Sequence, residues 1–540
     1  MNKEKLSDFW QRIWPHLLVA LSFVVLTCAY FIPVLQGKEI RQGDDINAKG
    51  AAQELVQYQK ESGEFAQWTD SMFGGMPAYQ IRSDSSQNVY KFFNKVARLN
   101  LPYTTMGILF MYLLGFYLLL VSMNFKPWMA MVGSIAFAFG SYNIIIIIAG
   151  HITKAYAIAI MPMVLAGIIL IFRNRWIIGG LYTMVALGME LAYNHVQITY
   201  YLGLAVLVMI IAELIYAIKA KNIKDFAISC AVLVGASLLA VLPGTTNMWS
   251  TYEYSKFSTR GPSEITSTTE ERPHEGLDKD YALAWSYGIH ETPTLLIPNI
   301  VGGASELIGY DNKAVQQLDP QIRDAVAQQM PKYWGGRSFT SGPVYAGAII
   351  CFLFFLGAFF YEGKHKWWLI AATILSIFLA WGKNFMPFTD LMFYYFPMYN
   401  KFRTVEMALI IASMTIPALI SSHEKQVTIA RLKVAYKYLT DITNMSLAQN
   451  QFFDIHSSGS VAFNKYIRPY IQIRTDCGGY GAAPTHDCFA GTNRGGWLSL
   501  DSGNEVINRG HYGTIMFFKV VLENGISLAY RNDEDAENFR

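Results

Sequence analysis

Ten apolar runs, at 16–35, 101–122, 129–149, 155–172, 176–193, 197–217, 226–243, 344–361, 367–382 and 404–421, constrain this chain more than any other feature. Each is close to the roughly 17–25 residues that a helix needs to cross a hydrocarbon core. In lipid a backbone satisfies its N–H and C=O groups only within helices or a closed barrel. The chain therefore reads as mainly α, a polytopic membrane protein of about ten transmembrane helices. A content of 52% hydrophobic and 15% charged residues agrees, being too apolar for an ordinary soluble domain. The net charge of +3 comes with scattered basic residues, which argues against a nucleic-acid partner.

Charge bias sets the expected orientation. Lys3, Lys5 and Arg12 precede the first run, and no small-residue cleavage site follows it, so it reads as an anchor with a cytoplasmic amino terminus. If the runs alternate, inner segments carry eleven basic residues: Lys3, Lys5, Arg12, Lys126, Arg173, Arg175, Lys219, Lys221, Lys224, Lys364 and Lys366. The short outer loops carry four: Lys154, Lys383, Lys401 and Arg403. This bias obeys the positive-inside rule, which does not count the two long outer segments, 36–100 and 244–343.

Parity puts Asp44 and Asp45, in "RQGDDINAKG", on the outer face. They either cap a short amphipathic helix expected over Ala51–Lys60 or act chemically. On the same side lie His151 and Lys154 of "GHITK", and Glu190, Asn194 and His195 near the end of the fifth run. Glu190 and Asn194, four apart, are expected on one helical face. An ionisable group within a span is a functional candidate, although Glu190 snorkelling to the interface and a backbone hydrogen bond from His195 are equally open. "QWTDSMFGGMPAYQ" (Gln67–Gln80) suits a tight turn at the headgroup level. In the second long segment Lys313–Met330 has helical spacing and polar faces. Lys256, Arg260, Lys279 and Arg337 there, with Lys401 and Arg403 later, supply positive charge among aromatics, fit either for phosphate or for interfacial anchoring.

Several ordered segments, "QGDDINAKG", "WTDSMFGGMPAYQI", "GHITK", "NHVQITYYLGL", "TYEYSKFSTRGPSE", "GLDKDYALAWSYGIHET", "YWGGRSFTSGPVYAG" and "YNKFRTVEMALIIA", together resemble the YfhO-type bacterial membrane proteins over residues 1 to about 415. That resemblance implies a GT-C glycosyltransferase-like body in the bacterial inner membrane. It would take a sugar from a polyprenyl-phosphate donor to a glycan or lipid acceptor on the outer face. In that fold the first outer loop supplies an acidic catalytic residue, a position that Asp44 and Asp45 match. One is expected to act as general base and the other to bind a divalent cation, Mg or Mn, or to orient the acceptor. Lys154, Arg260 and Arg403 are expected phosphate contacts, with His151, Glu190 and His195 as supporting or acceptor-binding groups. A lipid-linked glycan transporter or flippase stays open. No Walker-type loop is present, which argues against an ATP-driven pump.

Composition changes after residue 421. The remainder, 422–540, reads as a small α+β domain: a helix to about 451, then short alternating runs, with "ENG" at 523–525 as a hairpin turn. "TIPALISSHEKQVTIARLKVAYKYLTDI" and "FNKYIRPYIQIRTDCGGY" resemble the stem and head of type IV pilin-like pseudopilins, without a prepilin processing site before Ser413. The two resemblances meet near Thr415–Leu419, so the chain reads as a chimera with a shortened transferase body, and a structural role in a pilus or type II secretion system is a further alternative. Parity places the tail in the cytoplasm, where Cys477 and Cys488, the candidate disulfide pair, would stay reduced.

Overall fold

The computed structural model describes residues 3–82, 88–261, 276–420, 473–479, 518–522 and 527–530. The chain divides into two compact units, Met1–Ser422 and His423–Arg540.

The first unit is helical. Its main elements are α1 (Lys3–Tyr30), α2 (Gly43–Ala51), α3 (Val89–Ala97), α4 (Met106–Ser122), α5 (Pro127–Ala138), α6 (Ser141–Ala149), α7 (Ile152–Phe172), α8 (Trp176–Leu191), α9 (Val196–Lys219), α10 (Ile223–Val241), α11 (Ala348–Phe360), α12 (Lys366–Trp381) and α13 (Leu409–Ile420). Among the described residues five helical stretches are long and apolar enough to cross a membrane: Trp10–Tyr30, Ile152–Phe172, Val196–Lys219, Ile223–Ser255 and Lys366–Tyr395. The pair α5 and α6, bent by 52°, makes a sixth if it counts as one span. Met106–Ser122, Trp176–Leu191, Ala348–Phe360 and Val405–Leu419 are shorter apolar helices. The chain is thus mainly helical, with several long apolar helices of the kind that make a multi-pass membrane protein; each apolar run contains helix among its described residues, but five or six stretches, not ten, reach spanning length.

Its centre is α7. Apolar on all sides, this helix has 89% of its hydrophobic window inside the bundle, as expected of a helix with no polar stripe to turn outward. It packs against α4, α8, α9 and α10, while α13 packs against α5, α11 and α12. Outer helices instead leave apolar stripes uncovered at helical spacing, such as Leu17, Leu21 and Val25 on α1 and Phe352, Phe355 and Phe359 on α11. In water these stripes would be a liability; in a bilayer they are the lipid face.

Two breaks shape the outer side. Between α5 and α6, at Phe139–Gly140, the amide of Asn143 donates to the Phe137 carbonyl at 2.8 Å. The backbone of Ser141 bonds to the carbonyl of Tyr345 at 3.1 Å, and its hydroxyl to that of Pro343 at 2.6 Å. The kink thus leaves few backbone groups unsatisfied, as a membrane requires. The second break follows α8, which ends at Leu191; Asn194 adopts a positive φ of 53°. Glu190 and Asn194 therefore do not share a helical face, and Glu190 is fully buried rather than reaching the surface.

The long outer segments differ from expectation in detail. Helix starts at Gly43, so the aspartates lie inside α2, and a second helix, Gln53–Ser62, follows instead of a single one over Ala51–Lys60. Gln67–Gln80 forms a two-residue antiparallel ladder, with Trp68 opposite Pro77 and Thr69 opposite Met76. Lys313–Met330 is divided into Lys313–Gln316 and Pro320–Gln329, because Pro320 fits only the first turn of a new helix.

Within the second unit three strands, β1 (Ile473–Gly479), β2 (Phe518–Leu522) and β3 (Ser527–Tyr530), form an antiparallel sheet in the order β1-β2-β3. In the β2–β3 hairpin Phe518 stands opposite Tyr530 and Val520 opposite Leu528. The expected turn at 523–525, the helix after 421, Cys488 and the Cys477 side chain lie outside the described residues.

Helix packing around α7 depends on small residues, which let backbones approach where lipid offers little hydrophobic drive between helices. A Cβ at Gly115 on α4 would collide with the Ala159 carbonyl oxygen of α7, whereas one at Gly203 on α9 would meet nothing within 4 Å. Gly115→Ala is expected to destabilise by about 1–3 kcal/mol through overpacking, and Gly203→Ala to be neutral or slightly stabilising. Thermal unfolding of the two purified variants in detergent checks the contrast.

Candidate functional site

The site begins where α6 ends and α7 starts. Gly150 closes α6 with a φ of +84°, a conformation that costs glycine little. A Cβ there would stand 2.9 Å from the Cβ of Gln42 and 3.0 Å from the amide nitrogen of Asp45. Both conditions demand glycine, and they bring the first residues of α2 against this turn. Gln42, buried, fixes the approach: its side-chain amide donates to the carbonyls of Ile147 at 2.6 Å and Thr104 at 3.0 Å.

Asp44 and Asp45 occupy the first turn of α2, where the helix dipole favours carboxylates. They face different partners. Asp44 Oδ2 lies 2.6 Å from His151 Nδ1, with the aspartate side chain 50% exposed. Asp45 Oδ2 lies 2.7 Å from Lys49 Nζ, one turn along the helix, and is 20% exposed. His151 flanks the start of α7. Burial, reinforced by Lys154, lowers its pKa against the pull of Asp44, so at neutral pH the imidazole is mainly neutral and its Nδ1–H donates to the carboxylate.

Lys154, half-buried in the first turn of α7, lies in the electrostatic field of Glu406, Asp44 and Arg403. His195 flanks the start of α9, and its Nδ1 accepts a hydrogen bond from the Ile198 amide at 3.4 Å rather than donating to a carbonyl. Burial and the nearby Lys154 lower its pKa to about 4. The Arg403 guanidinium donates to the Tyr281 hydroxyl and sits 5.4 Å over that ring, while its carbonyl accepts from Gln197 at 2.6 Å. Asp44, His151, Lys154, His195 and Arg403 thus belong to one cluster at the start of α7.

The other expected residues stand apart. Arg260 exchanges hydrogen bonds with Lys401, giving its Nε–H to the Lys401 carbonyl at 3.0 Å and receiving the Lys401 ammonium on its own carbonyl at 2.8 Å. It therefore ties two outer segments together. Neither oxygen of Glu190 has a hydrogen-bond partner; the Thr199 hydroxyl beside it is turned to the His195 carbonyl at 3.5 Å. Among the described residues no three His, Cys, Asp or Glu side chains are grouped to hold a metal ion. Among the described residues Asp44 and Asp45 face different partners, His151 and Lys49, rather than one shared point.

Three charged residues that the sequence did not single out as site residues complete the cluster's inner side. Arg337, its side chain only 3% exposed, contacts Glu291 at 3.1 Å and Glu406 at 2.7 Å. Its Nε–H donates to the Tyr333 hydroxyl at 2.9 Å, and the Tyr333 hydroxyl in turn reaches Glu291 at 2.9 Å. Burial opposes the guanidinium charge, yet Glu406 and the Tyr333 bond raise the Arg337 pKa overall. Lys154 acts on Glu406 from the other side, so two carboxylates face two cations. A carboxylate at the head of the apolar run "VEMALIIA" was the available signal for Glu406. Glu291 and Arg337 lie in loop sequence that carries no such mark.

No known family, curated protein or solved structure matches the chain.

Two outcomes follow from this electrostatic arrangement. Replacing Arg337 with Met strands two buried carboxylates and should cost about 3–5 kcal/mol. The triple variant R337M/E291Q/E406Q, which removes the unpaired charges, should recover part of that loss in thermal unfolding. For His195, an unfolded chain takes up a proton near the ordinary value of about 6.5 while the folded chain resists until about 4. Stability present at neutral pH is therefore lost progressively as the pH falls through that window. Melting temperatures at pH 7 and pH 5 should diverge less in His195→Asn, whose amide oxygen still accepts from Ile198.

Proposed function

We propose that the chain is a GT-C-like membrane glycosyltransferase that moves a sugar from a polyprenyl-phosphate donor to an acceptor hydroxyl of a glycan or lipid on the outer face of a bacterial inner membrane. The amino terminus is cytoplasmic in this reading. The observation that carries it is the half-exposed Asp44 carboxylate held 2.6 Å from His151 at the start of α7, the most buried of the five long apolar stretches. A general base needs an accessible oxygen, a fixed orientation and a nearby binding wall. Asp44 has the first two through α2 and His151, and the cluster around Lys154 supplies the third.

In the proposed reaction the acceptor hydroxyl attacks the anomeric carbon of the sugar. Its proton passes to the free oxygen of Asp44, a new glycosidic bond forms, and the bond from the anomeric carbon to the phosphate oxygen breaks with its electron pair going to the phosphate. Lys154 and Arg403 oppose the negative charge that develops on the leaving group. His151 keeps one oxygen of Asp44 occupied, so that the other faces the acceptor. Asp45, paired with Lys49, orients the start of α2. No step is routed through a metal, because the carboxylates do not converge. The pseudopilin-like tail has no part in this chemistry.

Asp44→Asn keeps the shape and can still accept from His151, but it cannot take a proton. Transfer should fall by about 10²–10⁴-fold, with an unchanged melting temperature, while Asp45→Asn should retain most activity. Product formation from a labelled lipid-linked sugar, in membranes containing each variant, checks both. Full activity in Asp44→Asn, or lipid movement without a new glycosidic bond, would overturn the assignment in favour of a transporter.

A further inference from the structure

Beside the aspartate cluster lies a cavity of about 940 Å³ whose lining includes Lys91, Lys95 and Arg98 from α3 and the residue that follows it. These three are spaced i, i+4 and i+7, which places them on one helical face. Among the described residues that line the cavity there is no aspartate or glutamate. The helix has two further faces. Tyr90 and Asn94 are buried, the Asn94 amide donating to the Met189 carbonyl of α8 at 3.1 Å, so this face docks α3 on the bundle. Phe92, Val96 and Leu99 are exposed apolar residues. A short helix with a docked face, a basic face and an exposed apolar face is suited to lie in the membrane interface, with aromatic and aliphatic side chains among lipid tails and the basic side at headgroup depth.

We propose that this cavity binds the phosphate of a lipid-linked ligand, with Lys95 and Arg98 as its charge partners and the lipid chain running along the apolar face of α3. This deepens the transferase reading and rests on it for the identity of the ligand. Arg98 is already aimed: its Nη1 donates to the Leu101 carbonyl at 2.5 Å, and its guanidinium stands 5.2 Å over the Tyr103 ring. Charge-assisted bonds to phosphate from such an oriented group are the strong class of polar contact. Tyr103 and Tyr193, which also line the cavity, pack with the buried Tyr156 in a three-ring cluster, at centroid distances of 5.0 Å for Tyr103–Tyr156, 4.5 Å for Tyr156–Tyr193 and 6.5 Å for Tyr103–Tyr193. The cavity also reaches the reaction cluster: Thr153, between Ile152 and Lys154 in the first turn of α7, lines it. A phosphate at Lys95 and Arg98 would therefore lie toward the turn of α7 that carries Thr153 and Lys154.

The soluble and lipid-borne forms of this chemistry are separable. Binding is measured on the full chain in nanodiscs, in the Asp44→Asn background so that turnover does not intervene, with polyprenyl monophosphate and with inorganic pyrophosphate as probes. Polyprenyl monophosphate should bind, and Lys95→Glu should weaken it by at least roughly tenfold. Lys95→Arg should leave binding within about twofold, which separates charge from shape. Lys95 is exposed and outside the docked face, so its substitution leaves the fold intact; Arg98→Lys tests the second contact and should weaken binding while keeping the charge. Unchanged binding in Lys95→Glu overturns the site, and pyrophosphate binding as tight as the lipid overturns its assignment to a lipid-borne phosphate. Because the readout is binding, activity surviving in Asp44→Asn would remove the transferase reading alone and leave this result standing.

Discussion

The outer half of the first unit depends on one joint, the contact between Gln42 and the ends of two neighbouring elements. A single buried amide satisfies carbonyls of Ile147 at the end of α6 and Thr104 before α4. The Ile147 carbonyl, which also accepts from the Gly150 amide at 3.1 Å, lies at the end of α6, and the Thr104 carbonyl lies just before α4, where helical partners run out. Satisfying them from residue 42 fixes the first turn of α2, and with it Asp44, to the start of the most buried helix. Gly150 makes the joint close enough to work. The acidic turn is therefore tied to the bundle through Gln42, although it lies in a long segment between apolar runs.

Charge burial follows the same logic on the other side of the cluster. Glu291, Arg337, Glu406 and Lys154 alternate in sign, and they are supplied by four separate segments. Such an arrangement is poor evidence for net stability, because desolvation offsets much of the attraction. What it does secure is registration: the segments that carry Glu291, Arg337 and Glu406 meet in only one way. The hydrogen bonds of Arg260 with Lys401, and of Arg403 with Tyr281 and Gln197, add a second tie between the same outer regions.

Much of this was legible in the sequence where a property is local. Apolar length announced the helices of the bundle, though not α2 or α3, and unusual polar residues near helix ends announced Asp44, His151, Lys154, His195 and Arg403. Local pattern failed where geometry is set elsewhere. Helix periodicity carried Glu190 and Asn194 onto one face, but the left-handed Asn194 ends that continuity. The kink at Gly140 is invisible in "FAFGSYNIIIII" because it is stabilised by residues 343–345, some two hundred positions away. Arg260 carries the charge expected of a phosphate ligand, yet tertiary packing spends its Nε–H on a backbone carbonyl. In the sequence Arg337 fits either phosphate or interfacial anchoring, and only the fold reveals that it is enclosed by two carboxylates.

The shortness of several apolar helices has a mechanical consequence for the surrounding bilayer. The thirteen residues of α11 rise about 20 Å, against a hydrocarbon thickness of about 30 Å. Phe352, Phe355 and Phe359 point outward along it, so this face is wetted by lipid for less than the full thickness. Lipid beside it must thin, or the polar flanks must dip toward the midplane, each at a fraction of a kcal/mol per ångström of mismatch. Where α11 crosses a bilayer, the lipid beside it would be drawn thin, and a headgroup on that side would have a shorter path to the protein.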